Sequence, residues 1–465
     1  MDFYKLMNEY KEAFLSDLKG LIAIPSLEDF ESAKTNAPFG TEVRKALDYM
    51  LELGAKEGFV VKDIDGYAGT IEYGEGTESI GVLGHLDVVP FGEGWSHGPT
   101  EMVEKDGYIL GRGVLDDKGP TMAAFYALKA LKDNNIKLNK KIILILGTNE
   151  ETGMKCMDYY AKHGEIPTCG FTPDADFPVI YGEKGHINPV LVSDEKTVIK
   201  KLVAGERPNI VIGKAQATLP KLTDKQRAEF NYYLQVEKLK GQIIADGDDD
   251  IVEIEGKYFH AAMAYNGVNA AVHLLNYVGA SFADKLASQF ADLLMDWKGT
   301  GLNIAMEGAY MGFLTMNVGI VSIKNQHTEI TLDIRYPNDT TGKELETRII
   351  KSLPETITCK PVEDSKPLFV DPNSTIVKTL MHAYQAYTKD TFSPAKTIGG
   401  GTYARKFENF VAFGPEFPNR ETPNFFVGGP HEKDEGIKLD DLLKAGAIYA
   451  EALQDLAKDS LHADA

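Results

Sequence analysis

Two clusters of histidine and acidic residues follow strand-like apolar runs, and their residue types suit divalent metal chemistry. Residues 80–83 run apolar into His85-Leu86-Asp87, and residues 142–146 run apolar into Glu150-Glu151. Between them, Gly111-Arg112-Gly113-Val114-Leu115-Asp116-Asp117-Lys118-Gly119 places adjacent aspartates in a Gly-rich turn. Imidazole and carboxylate are ligands that zinc and similar ions accept, so metal-dependent hydrolysis is the leading expectation. Side chains two apart on an extended segment point to opposite sides. His85 is therefore the expected ligand and Asp87 the carboxylate that orients its ring. Adjacent carboxylates repel and need a cation or proton to settle them. One of Glu150 and Glu151 could bind metal while the other takes a proton from the attacking water. Asp116-Asp117 also reads as an ordinary helix N-cap. Asp174, before Asp176-Phe177-Pro178, also reads as a turn residue, and His431, after Gly428-Gly429-Pro430, as an idle loop histidine.

The elements that would position these groups follow from periodicity. Helical spacing is expected over residues 42–57 and 120–131, and strands over 59–61, 70–73, 80–83 and 142–146. Strand, helix and a second strand apolar throughout form the pattern of a parallel βαβ unit. Ligands gather beyond the carboxyl ends of such strands, where His85, Asp87, Glu150 and Glu151 fall. Residues 169–176 offer a third strand end. After Gly185 the texture changes: strand-like 197–202, 251–254, 318–323 and 329–334 mix with helical 266–277 and 282–295, suiting an α+β insert. Helices 375–388 and 441–457, the latter capped by Asp440, flank the Gly399-Gly400-Gly401 loop and His431. The expected organisation is a split catalytic domain, 1–185 and 368–465, with a mainly parallel mixed sheet flanked by helices, interrupted by an α+β lid at 186–367.

With 465 residues the chain exceeds one hydrophobic core. A net charge of −20 argues against a nucleic-acid partner. Cys156, Cys169 and Cys359 form no CxxC pair, which suggests neither disulfides nor a thiolate metal site and fits the cytoplasm. The charged N-terminus reads as an amphipathic helix rather than a signal peptide. No apolar run approaches the ~18 residues a bilayer requires.

The ordered set — His-x-Asp, Gly-Arg-Gly-x-x-Asp, Glu-Glu, Asp, insert, late His — resembles the dizinc exopeptidase and deacylase family that includes carnosinase, aminoacylase and succinyl-diaminopimelate desuccinylase. Gly111–Gly119, His260 in Lys257-Tyr258-Phe259-His260-Ala261, and Gly400-Gly401-Thr402-Tyr403-Ala404-Arg405 look closest to its bacterial dipeptidase V (Xaa-His dipeptidase) branch. The resemblance implies two Zn2+ per subunit, with Mn2+ or Co2+ as alternatives. His85 and Asp174 would hold one ion, Glu151 and His431 the other, and Asp116 both, with a cis peptide after it. Asp87 would support His85, and Glu150 would be the general base acting on a metal-bridging hydroxide. His260 would stabilise the oxyanion, and Asn209, Arg335, Gly400 and Gly401 would bind substrate, although Arg335 also reads as an ordinary strand arginine. The implied reaction is hydrolysis of unblocked dipeptides, releasing the N-terminal amino acid. An N-acyl amino acid deacylase or carboxypeptidase on the same fold is the alternative. A larger insert than many relatives carry implies a monomer; the family's implied substrate is a short peptide, and the lack of a long apolar run argues against a membrane partner. Lys184 and His186 are assigned to structure, and His97, His163, His273, His327, His382 and His462 to no site.

Overall fold

The structure is a computed structural model that describes residues 1–421 and 423–458. It comprises two compact units. The first contains Met1–Gly182, Val370–Lys396 and the described residues of Gly401–Ala465; the second contains Glu183–Phe369 and Thr397–Gly400.

In the first unit the central strands form because their residues are apolar on both faces. We label β1 (Val60–Ile64), β2 (Ala68–Tyr73), β3 (Ser79–His85), β4 (Lys141–Gly147), β5 (Cys169–Thr172) and β6 (Phe410–Ala412). Within a nine-stranded sheet these six lie in the order β1-β2-β4-β3-β5-β6, and further strands continue beyond β6. β3 runs parallel to β4, from Ser79 opposite Lys141 to His85 opposite Gly147, and parallel to β5 on its other side. β6 is also parallel to β5, whereas β1 and β2 run antiparallel to their neighbours. The sheet is thus mixed, with its central strands parallel. All of β3 is buried, as are Ile142–Leu146 of β4. Full burial of each large aliphatic side chain contributes roughly 1.5–3 kcal/mol, so the core fixes the strand ends from which the charged groups project.

A parallel pair needs a crossover, and α3 (Lys118–Asp133) supplies it between β3 and β4, after α1 (Phe3–Ile22) and α2 (Thr41–Lys56). α3 is apolar nearly all round and buried, packing on β3, α1 and the late helix α5 (Leu439–Lys458), which follows α4 (Thr375–Thr388). Its first turn approaches other backbone closely: a Cβ at Gly119 would lie 2.0 Å from the Val114 carbonyl oxygen. α5 begins at Leu439, whose amide donates to the Gly107 carbonyl at 2.9 Å. Asp440 therefore sits inside the first turn rather than capping it, where its charge still favours the positive helix end.

The second unit is built on an antiparallel sheet whose long strands, Thr315–Lys324 and His327–Tyr336, pair with each other. Helices Ala270–Phe282 and Lys285–Leu294 cover it, their N-termini capped by Asn269 and Asp284. The expected helix over 266–277 starts later because residues Ala261–Asn266 form a 3-10 turn. The expected strand over 197–202 is instead Lys201–Ala204. Helix Asp224–Glu237 escaped the periodicity because Phe230 is its one buried residue; a Thr223–Gln226 capping box marks its start. Among the described residues no helix is long and apolar enough to cross a membrane.

Candidate metal centre

The parallel strands place their carboxyl ends along one edge of the sheet. β3 ends at His85, β4 runs out three residues before Glu150, and β5 ends two residues before Asp174. The turn before α3 contributes Asp116, and the loop before α5 contributes His431. His85 Nε2 lies 3.0 Å from Asp116 Oδ1 and 3.7 Å from Asp174 Oδ2. His431 Nε2 lies 3.0 Å from Asp116 Oδ2 and 3.2 Å from Glu151 Oε2. Two groups therefore have ligand atoms within 4.8 Å of one another: His85, Asp116 and Asp174, and Asp116, Glu151 and His431. Asp116 belongs to both, with one oxygen toward each imidazole. The Asp116-Asp117 peptide is cis, as the resemblance implies.

These residues fit a pair of divalent cations. Glu151 Oε1 is buried with no hydrogen-bond partner, an orphaned acceptor of the kind a cation satisfies. Burial, then the Asp116 charge, holds the Asp174 carboxyl well above its usual range. Hydrogen bonding to Asp116, then Glu151, raises the pKa of His431 to about 10. His85 is also held well above its ordinary value: burial opposes its charge, but Asp116 and Asp87 outweigh that cost. Mixed imidazole and carboxylate donors suit zinc, manganese or cobalt.

Asp87 and Asp117 orient the surrounding backbone. Both are fully buried. The Asp87 carboxylate accepts from the Glu150 amide at 2.8 and 3.0 Å and from the Glu151 amide at 3.1 Å. His85 Nδ1 meets the Asp87 backbone carbonyl at 3.0 Å, with the carboxylate at 3.5 Å. Asp87 thus orients the paired glutamates as well as the imidazole. Asp117 occupies the N-cap position of α3 but makes no cap bond. Its Oδ2 instead accepts from the His85 amide at 3.0 Å and the Thr121 hydroxyl at 2.9 Å. The ordinary N-cap reading of this pair does not describe its side chains.

A cavity of about 240 Å³ is lined by Asp116, Glu150, Glu151, Asp174 and His431, together with Gly401, Thr402 and Glu416. Glu150 belongs to neither ligand group. Burial first, and the neighbouring carboxylates after it, push its pKa up to about 8, against the opposing charge of His85. Thr402 entered the sequence reading only as part of the Gly400–Arg405 motif, and Glu416 did not enter it. Glu416 lies at the edge pair Pro415–Glu416 with Ala175–Asp176, a two-residue strand too short for a periodic signal.

Asn209, His260, Arg335 and Gly400 belong to the second unit. The Ala261 amide donates to the Asn209 carbonyl at 2.8 Å, joining the segments of Asn209 and His260. His260 Nδ1 accepts from the Ala262 amide at 3.2 Å, which leaves Nε2 to carry the proton of the neutral ring. Desolvation and then the Arg335 charge lower its pKa. Arg335 donates to Asp333 at 2.7 and 3.0 Å and to the Gly399 carbonyl at 2.9 Å. His186 meets Asp333 at 3.1 Å, and the Lys184 ammonium donates to the Phe313 carbonyl. His97, His163, His273, His327 and His382 lie outside both ligand groups, and His462 lies outside the described residues.

Residues 81–455 match the model of Peptidase family M20/M25/M40. A Bacillus subtilis (strain 168) protein named "Putative dipeptidase YtjP" is 39% identical over 96% of this chain and 98% of its own. A Staphylococcus epidermidis protein named "Putative dipeptidase" is 38% identical over the same shares. Among solved structures, aminopeptidase PepT from Bacillus cereus aligns with a TM-score of 0.56 at 16% identity, over 96% of this chain and 99% of that one. The dipeptidase Dug1p of Saccharomyces cerevisiae aligns with a TM-score of 0.56 at 15% identity, over 97% of each chain. Both are similar in fold. The length of the family match and the identity to the Bacillus subtilis protein place this chain in the M20/M25/M40 family of metallopeptidases, hydrolases of the peptide bond.

Proposed function

We propose that the protein is a dizinc dipeptidase that hydrolyses unblocked dipeptides and releases the N-terminal amino acid. The observation that carries this reading is the sharing of Asp116 between two imidazoles, with Glu150 unassigned to either ligand group in the same cavity. His85, Asp116 and Asp174 would hold one ion, and Asp116, Glu151 and His431 the other. When bound, such ions polarise the scissile carbonyl and lower the pKa of water. Glu150 takes the proton of the attacking water and returns it to the leaving amine. Asp87 holds the amides of Glu150 and Glu151 while it fixes the His85 ring. His260 is assigned to the negative oxygen that develops on the carbonyl. Arg335, with donors remaining beyond its bonds to Asp333 and Gly399, is assigned with Asn209 to the substrate carboxylate. Gly400 and Gly401 are assigned to the same substrate. The working form is a cytoplasmic monomer, with manganese or cobalt able to replace zinc.

Support comes from the dipeptidase names of the curated relatives and from a cavity of about 240 Å³, which suits a small substrate. Comparison of an unblocked dipeptide with its N-acetylated form tests the proposal. Faster hydrolysis of the unblocked dipeptide is expected; preference for the acetylated compound would assign the protein to the deacylases.

A further inference from the structure

Glu435 lies four residues past His431 and is fully buried. Its Oε1 accepts from the amides of Gly113, Leu115 and Asp116 at 2.9, 3.0 and 3.1 Å. Its Oε2 accepts from Arg112 Nη1 at 2.6 Å, and its backbone carbonyl accepts from the Gly111 amide at 2.9 Å. One residue thus grips the turn from Gly111 to Asp116 along its length. The His431 loop closes at the same place: the Gly428 amide donates to the Asp434 carbonyl at 2.8 Å, and the Gly436 amide to the Gly428 carbonyl at 3.1 Å. Arg112, 2% exposed, lies 5.1 Å over the Trp95 ring and bonds the Phe91 carbonyl.

The gripped turn contains Gly111 at φ 154° and Gly113 at φ 90°; glycine reaches such backbone readily but ranges over many other conformations, so outside contacts must select this one. Asp116 must nevertheless present one oxygen to each imidazole. A buried carboxylate facing three amides and a guanidinium makes charge-assisted bonds of defined direction. Asp434 provides an internal comparison. Its carboxylate accepts from the Ser96 amide at 2.8 Å and the Ser96 hydroxyl at 3.0 Å, tying the same loop to a different segment.

We propose that Glu435 is the positioning residue of the centre, setting the Asp116 backbone against the His431 loop so that one aspartate can serve both ion sites. This rests on reading Asp116 and His431 as ligands. The test is titration of the metal-free full-length protein with Zn2+ against a chromophoric chelator, with circular dichroism to verify folding. Glu435→Gln should weaken binding about 10–100-fold, as loss of a ligand's supporting partner does. Glu435→Asp, which keeps the charge opposite Arg112 but shortens the reach, should also weaken it and decides the matter if Glu435→Gln does not fold. Asp434→Asn should stay close to wild type. Wild-type affinity in the Glu435 variants, or an equal loss in Asp434→Asn, would overturn the proposal. Asp116→Ala separates the two levels. If it binds Zn2+ as tightly as wild type, the ligand reading fails and takes the role of Glu435 with it. If it loses binding while the Glu435 variants do not, the role of Glu435 alone fails.

Discussion

Glu150, proposed as the base, lies outside both ligand groups, so its role is separable from metal binding. Glu150→Gln should lower kcat by roughly 10²–10⁴-fold, while elemental analysis finds the ion content unchanged; an unaltered kcat would remove Glu150 as the base. Asp333 gives a second residue-level test. Burial opposes its ionisation, but hydrogen bonds from His186 and Arg335 prevail and hold its pKa below the ordinary 3.8. A carboxyl depressed in the folded state contributes stability above its unfolded pKa and loses it as pH falls through the folded value. Asp333→Asn also breaks a buried ion pair, a loss of about 3–5 kcal/mol in general, and should be less stable than wild type at neutral pH. The gap to wild type should shrink below about pH 4, measured by denaturant unfolding across pH. A gap independent of pH would contradict the assignment. At this scale the ligand candidates were legible because each follows an apolar run or a Gly-rich turn. Of the supporting groups Asp87 was legible beside His85, whereas two others were not: Asp117 serves the His85 amide 32 residues away, and Glu435 serves amides about 320 residues away. Backbone amides leave no residue-type signal in a sequence.

Among elements, the first turn of α3 decides whether Asp116 is correctly placed. With Gly119 packed on the Val114 carbonyl, Gly119→Ala forces the turn and helix apart. Overpacking of this kind costs roughly 1–3 kcal/mol, and here it displaces a ligand-bearing loop. The variant should melt earlier and also bind metal more weakly; wild-type metal affinity would show that the turn tolerates the shift. The sequence made the β3-α3-β4 unit legible because strands buried on both faces read as unbroken apolar runs, as in Ile142–Leu146. The second unit was less legible at its edges. Helix Asp224–Glu237 buries only Phe230 and has no apolar stripe, and the 3-10 turn at Ala261–Asn266 mimics the start of the following helix.

For the whole molecule, membership of the M20/M25/M40 family and the paired ligand groups carry one claim: divalent cations are part of the working protein. Several carboxyl groups crowd one cavity, and the chain already carries a net charge of −20, so removing the cations should leave a less stable protein. Ions that bind only the folded state stabilise it by about 2.7 kcal/mol per site at a hundredfold excess over Kd, a difference that calorimetry with and without chelator resolves. The fold class was legible at this scale because alternating strands and helices constrain topology strongly, whereas metal identity was not, because histidine and carboxylate accept several ions alike. The most direct test is peptide hydrolysis by the purified protein before chelation, after it, and after metal is returned, with metal content measured at each stage. Activity is expected with two ions per chain, with loss of turnover on stripping and recovery on reloading. Full-rate hydrolysis by protein free of divalent ions would contradict it.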